Sequence, residues 1–207
     1  ARSLLKQIAS SGVDVLIGEL EDVGEEHVPT RDETLRWFNQ NYSVQTTALE
    51  APPALLPFAA LYKEDQVQDM SSIPNLPSLV NFALPSLKDN SGFLLLVESE
   101  EPDSATHKND TARLIRGLKS LNQTLNALMA FAKKDGETLL VFTSDHETGG
   151  LVLNYGKNSN GWIEPMWTLE GHSGSVVPIL SMGPGSELFN GYLSNEDIGQ
   201  RLHHLLK

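Results

Sequence analysis

Six of the carboxylate and imidazole residues between positions 98 and 172 stand out as candidate metal ligands: Glu98, Asp103, His107, Asp145, His146 and His172. Asp103 and His107 lie four apart in DSATH, so a helical turn would put both on one face, where they can share a metal ion. Asp145 and His146 are adjacent in LLVFTSDHETGG, residues 139–150, where an apolar run stops at a charged pair and two glycines. His172, in EGHSGS, lies just before another apolar run, so a short loop can deliver it to the same place. The chain has no cysteine, which excludes thiolate sites and disulfides and leaves His, Asp and Glu to hold any metal. Taken singly, a D-x-x-x-H pair is more often a surface pair than a site, and a lone DH dipeptide is a weaker signal still. Ser104, within DSAT, sits beside a carboxylate as a nucleophile would, but its neighbours Asp103 and His107 are better used as ligands. His27, His203 and His204 read as surface or helix-face residues without a role.

The elements that must position these groups alternate between strand and helix. VDVLIG (13–18), GFLLLVE (92–98), TLLVFT (138–143) and VVPIL from Val176 read as strands. The continuous apolar run at 92–98 suits a strand buried on both faces of a parallel sheet, and Pro178 suggests an edge or bulge. Helices are expected from Ser3, from Thr30 through Phe38 behind a Thr30–Glu33 capping box, and from Ser78 toward Leu87, with Pro85 ending or kinking the last. A long amphipathic helix follows from Asn109 with Leu114, Leu118, Leu121, Leu125 and Leu128 on one stripe. It closes near Lys133-Lys134 with Gly136 as cap. Ser194 and Asp197 cap a final helix. Residues 41 to about 75, rich in proline, read as loop with short helical turns. This order predicts an α/β fold with a largely parallel central sheet flanked by helices, in a single domain over residues 1–207. Glu98, Asp145 and His146 then fall at strand ends, where such sheets collect ligands.

Bulk properties narrow the partners. The formal net charge of -12 argues against nucleic acid, since no basic surface is available to release counterions. Five carboxylates between Glu19 and Glu26 read as a solvated loop. No run approaches the length of a membrane span. The chain opens at Ala1 without a basic-then-apolar leader, which predicts either a removed signal peptide or a fragment.

The motifs LLVFTSDHETGG, GFLLLVESEEPDSATHKND and EGHSGSVVPILSMGPGSELFNGYLSNEDIG together resemble the C-terminal half of the alkaline phosphatases. Upstream, VDVLIG, LLPFAALY and NLPSLVNFALPSLKDNSGF resemble further segments of that family, so nearly the whole chain is covered. The resemblance implies an alkaline phosphatase-like fold and hydrolysis of phosphate monoesters through a covalent phosphoserine. It implies Zn2+ at two sites, the first held by Asp103, His107 and His172 and complete in this chain, the second keeping Asp145 and His146. It also implies a partial Mg2+ site keeping Glu98. Both imidazoles of the first site must be neutral to ligate, so acid is expected to strip the metal. The expected partners are a phosphate monoester or inorganic phosphate. A homodimer in the periplasm or outside the cell is what the family implies.

The departures are equally specific. The family's nucleophile segment, the aspartate shared by zinc and magnesium, the magnesium threonine and the phosphate-clamping arginine have no counterpart in these residues. The nucleophile is therefore expected upstream, and the chain alone is expected to be inactive. Ser99, Pro102, Pro85 and Gly18-Glu19 stand where the family carries other residues. Two other readings remain: a phosphodiesterase- or sulfatase-type relative, against which HETGG argues, and a truncated or degenerate non-catalytic relative that keeps a metal.

Overall fold

The computed structural model describes residues 2–20, 29–47, 49, 56–64, 66–67, 74–87, 92–154 and 164–206. The acidic stretch beyond Leu20 and His27 lie outside the described residues. The chain divides into two compact units, Ala1–Glu98 and Ser99–Lys207.

In the first unit, side-chain alternation along one central strand builds two cores. Strand β1 (Val15–Leu20) and strand β2 (Ser43–Gln45) both pair in parallel with β3 (Phe58–Lys63), giving the order β1-β3-β2. Ala59 and Leu61 of β3 point to one face and pack with Ala9, Leu20, Phe38 and Tyr42. Phe58, Ala60 and Tyr62 point to the other and pack with Leu79 and Phe82. Helices α1 (Arg2–Ala9) and α2 (Arg31–Phe38) thus cover one face, and α3 (Leu76–Leu87) the other. Both-face burial is what a parallel sheet requires.

β3 falls inside the stretch expected to be loop. Prolines flank it, but FAALY itself contains none and is wholly buried, and tertiary burial decides its conformation. The Thr30 hydroxyl accepts from Glu33 N, the expected cap of α2. Pro85 lies in the last turn of α3, which stops two residues later at Leu87.

The segment 92–98 corrects a second expectation. It belongs to none of the sheets among the described residues, and its exposure alternates, with Leu94 62% and Leu96 89% exposed. An apolar run supplies strand propensity, but a strand also needs a partner for its main-chain groups, and no ladder forms on it here.

The second unit begins with α4 (Glu101–His107) and α5 (Thr111–Asp135). Asp110 caps α5 by accepting from Arg113 N, and Gly136 closes it in the left-handed conformation at φ 78°. The buried stripe of α5 includes Leu114, Gly117, Thr124 and Ala132; of the expected leucine stripe, Leu121, Leu125 and Leu128 are half-buried and Leu118 is exposed. A Cβ at Gly117 would lie 2.9 Å from Glu101 Cγ. The close approach of α4 thus selects the face that carries glycine.

The remaining strands pair antiparallel in three short ladders. β4 (Leu140–Thr143) pairs with β9 (Ile179–Met182), β5 (Glu147–Thr148) with β8 (His172–Ser173), and β6 (Val152–Asn154) with β7 (Glu164–Met166). A 3-10 turn (Ser186–Phe189) buries Phe189, and α6 (Asn195–Leu205) opens on the expected Ser194–Asp197 capping box. No helix among the described residues is long and apolar enough to cross a membrane.

Candidate metal centre

Helix α4 presents Asp103 and His107 one turn apart, as their spacing requires. The helix is held by Glu101, whose carboxylate accepts two hydrogen bonds from the Arg113 guanidinium of α5, at 2.7 and 2.8 Å. Such a bidentate pair fixes orientation as well as adding attraction. Ser104 is turned to other use, donating to Glu100 Oε1 at 2.9 Å within its own helix.

The third group arrives through the DHETGG turn. Gly149 N donates to the Gly171 carbonyl, and Thr168 N and Leu169 N both donate to the Gly149 carbonyl, so this turn anchors the loop before His172. Both glycines have positive φ, 88° and 55°. A Cβ at Gly149 would lie 2.8 Å from Trp167 Cε3, and one at Gly150 would collide with Thr168 Oγ1. The glycine pair is therefore required both by conformation and by close approach. The β5–β8 ladder then sets Thr148 opposite His172 and Glu147 opposite Ser173.

Asp103, His107 and His172 converge. His107 Nε2 lies 3.1 Å from His172 Nε2 and 3.5 Å from Asp103 Oδ2, and His172 Nε2 lies 3.9 Å from Asp103 Oδ1. One ligand atom from each falls within 4.8 Å of the others. Ligands at about 2.0–2.1 Å around a tetrahedral ion would stand about 3.3 Å apart, so the set fits a small divalent cation once the side chains close in on it. The hydrogen-bond pattern fits as well. His107 Nδ1 lies 2.6 Å from the Glu170 carbonyl, which can only accept, so Nδ1 carries the proton and Nε2 offers a lone pair to the cluster.

His146 stacks on His172, with centroids 3.6 Å apart and planes 24° from parallel. Its Nε2 lies 3.4 Å from Asp145 Oδ2, whose side chain is 77% exposed. The structure thus brings five of the six expected residues into one neighbourhood of the second unit. Glu98 ends the first unit, where it is exposed.

Two polar residues escaped the sequence reading. Glu147 accepts from the Ser173 hydroxyl and from Leu151 N, and these hydrogen bonds, led by that of Ser173, hold its carboxyl below the usual glutamate range. Thr148 Oγ1 donates to Asp103 Oδ1 at 2.5 Å and lies 3.1 Å from His146 Nδ1. The signal that could have found Thr148 is strand alternation, since positions 146 and 148 share a face in any extended segment.

The fold matches those of solved alkaline phosphatases. The enzyme from the Antarctic bacterium TAB5 superimposes with a TM-score of 0.83 at 28% identity, covering 99% of this chain and 63% of that one. A mutant of it has been solved with Mg bound in the M3 site. In sequence, alkaline phosphatase 3 of Bacillus subtilis is 26% identical over 263 aligned positions, covering 93% of this chain and 54% of the relative. The repressible alkaline phosphatase of Saccharomyces cerevisiae is 38% identical over 112 positions, covering 48% of this chain. The family model for alkaline phosphatase matches residues 1–166, and the chain belongs to that family. The match ends short of His172, whose place beside Asp103 and His107 rests on the structure. The chain spans about half the length of its Bacillus subtilis relative.

Proposed function

We propose that this chain is the C-terminal, metal-holding portion of a single α/β domain that hydrolyses phosphate monoesters. The observation that carries the reading is the convergence of Asp103, His107 and His172 in a member of the alkaline phosphatase family. Asp103, His107 and His172 would hold a first Zn2+. His146 and Asp145 would hold part of a second, and Glu98 part of a Mg2+ site. Bound cations supply Lewis-acid stabilisation to the charge of a transferring phosphoryl group.

The chain's own residues do the positioning. The Glu170 carbonyl fixes the His107 ring, the Glu101–Arg113 pair fixes the helix that carries Asp103, and the glycine turn fixes the His172 loop. No nucleophile is assigned among the described residues, and Ser104 is hydrogen-bonded within α4. Turnover is therefore assigned to the longer protein, with a phosphate monoester as substrate and inorganic phosphate as product. The family further favours a dimer outside the cytoplasm.

Zinc calorimetry tests the metal reading. Wild type should bind zinc, and His172→Ala should lose more than the ~10–100-fold typical of removing an outer partner of a ligand. Equal affinity for the two would defeat the assignment. A panel of mono- and diesters on the chain extended upstream tests the chemistry. Diester preference would move the protein to a phosphodiesterase-type reaction, and zinc binding without turnover would mark a non-catalytic relative.

A further inference from the structure

We propose that the Thr148 hydroxyl is a positioning group that links the two candidate metal positions through one directed chain, His146 Nδ1–H to Thr148 Oγ1–H to Asp103 Oδ1. The inference rests on the metal-centre reading above and concerns a residue that ligates nothing itself.

The direction of the chain follows from counting protons. An ionised carboxylate only accepts, and a threonine hydroxyl has one proton to give and two lone pairs to offer. The 2.5 Å contact to Asp103 Oδ1 is the shorter of the two, so the hydroxyl proton belongs there. At its other contact, 3.1 Å from His146 Nδ1, the same oxygen can then only accept, so the imidazole proton must sit on Nδ1. That choice leaves the lone pair on His146 Nε2, the nitrogen that faces Asp145 at 3.4 Å. One hydroxyl therefore sets the tautomer of one candidate ligand and engages one carboxylate oxygen of another. Asp103 Oδ2, which lies 3.5 Å from His107 Nε2, is left clear of that hydrogen bond, while Oδ1 also lies 3.9 Å from His172 Nε2.

Position 148 is suited to the task. Thr148 is only 8% exposed, so water competes poorly for its hydroxyl. The β5–β8 ladder fixes its backbone opposite His172, the third member of the first site. Glu147, on the same two-residue strand, holds Ser173 from the other side and locks the register. An isosteric Val at 148 would keep the packing and remove only the chain.

The test uses the wild-type protein with Thr148→Val and Thr148→Ser, with zinc affinity measured by competition against a chromophoric chelator. Thr148→Val should bind zinc ~10–100-fold more weakly, the range for losing an outer partner of a ligand, and Thr148→Ser should recover most of that loss. A merely structural threonine would give the opposite order, since Val preserves its shape better than Ser. Thr148→Val binding like wild type, or Thr148→Ser binding as weakly as Thr148→Val, would overturn the inference and leave the metal centre standing. No zinc binding by wild type would instead overturn the metal centre, and the inference with it. A second measurement needs neither variant nor metal. Long-range 1H–15N spectra of the wild-type protein, taken where imidazoles are neutral, should show His146 protonated on Nδ1, and an Nε2–H tautomer would overturn the chain.

Discussion

The two compact units solve opposite problems. The first buries large side chains on both faces of a parallel sheet, with Phe38, Phe58, Leu61 and Tyr62 nearly inaccessible. The second, beside Leu114 and Phe189, buries mainly threonines and small residues, Thr106, Thr124, Thr148, Ala105 and Ala132, and leaves Leu118, Leu153, Val176 and Leu180 exposed. Its order comes from directed contacts: a bidentate ion pair, helix caps, a glycine turn and a two-residue ladder. Apolar burial is non-directional and scales with area, whereas ligands must be held in direction as well as in place. The division is therefore one between a unit stabilised by area and a unit organised by geometry.

Three substitutions sharpen that contrast. The largest effect is expected from Phe38→Ala, which opens a hole against Tyr42 and the Ala59–Leu61 face of β3 and should cost about 3–5 kcal/mol of unfolding free energy in denaturant melts. A cost under about 1 kcal/mol would show that the first unit is not held by area. In the second unit, Glu101→Ala leaves Arg113 without its bidentate partner. We expect a loss of about 2–3 kcal/mol, below the full cost of breaking a buried pair because the two side chains remain 18% and 19% exposed. Zinc affinity should fall in parallel, since α4 carries two of the three candidate ligands. Unchanged affinity would mean that α4 is positioned without the clamp.

The smallest effect concerns Tyr62. Its hydroxyl is buried without a hydrogen-bond partner among the described residues, and burial pushes its pKa up to about 12. Because the folded value exceeds the unfolded one, this group's contribution is intact below about pH 10 and is lost as pH rises toward 12. Tyr62→Phe should therefore be neutral or stabilising by about 1 kcal/mol near neutrality. It should also flatten the alkaline fall in stability, read as melting temperature against pH. A destabilised Phe variant would reveal a role for the hydroxyl that the core does not show.

Legibility in the sequence followed the same divide. The candidate cluster was legible because its signals are local: the spacing of Asp103 and His107, the adjacent Asp145 and His146, and the two glycines behind them. The caps at Thr30, Ser194 and Gly136 were readable for the same reason. What was lost depended on partners distant in sequence. Nothing local says that 58–63 has strands on both sides while 92–98 has none among the described residues. The leucine stripe of α5 does not say that Glu101, on another helix, packs against position 117, where only glycine stands. Thr148 was passed over because a hydroxyl announces no chemistry until a carboxylate and an imidazole stand on either side of it.

The two histidine supports differ in what they allow the sequence to become. His107 leans on the main-chain oxygen of residue 170, an atom every amino acid possesses, and the Glu170 side chain itself is exposed. That position can drift through generations of substitutions without the imidazole registering any of them. His146 leans on a side-chain oxygen, the hydroxyl of Thr148. Of two neighbouring rings, one is insured against mutation by the peptide backbone, and the other is hostage to a single codon.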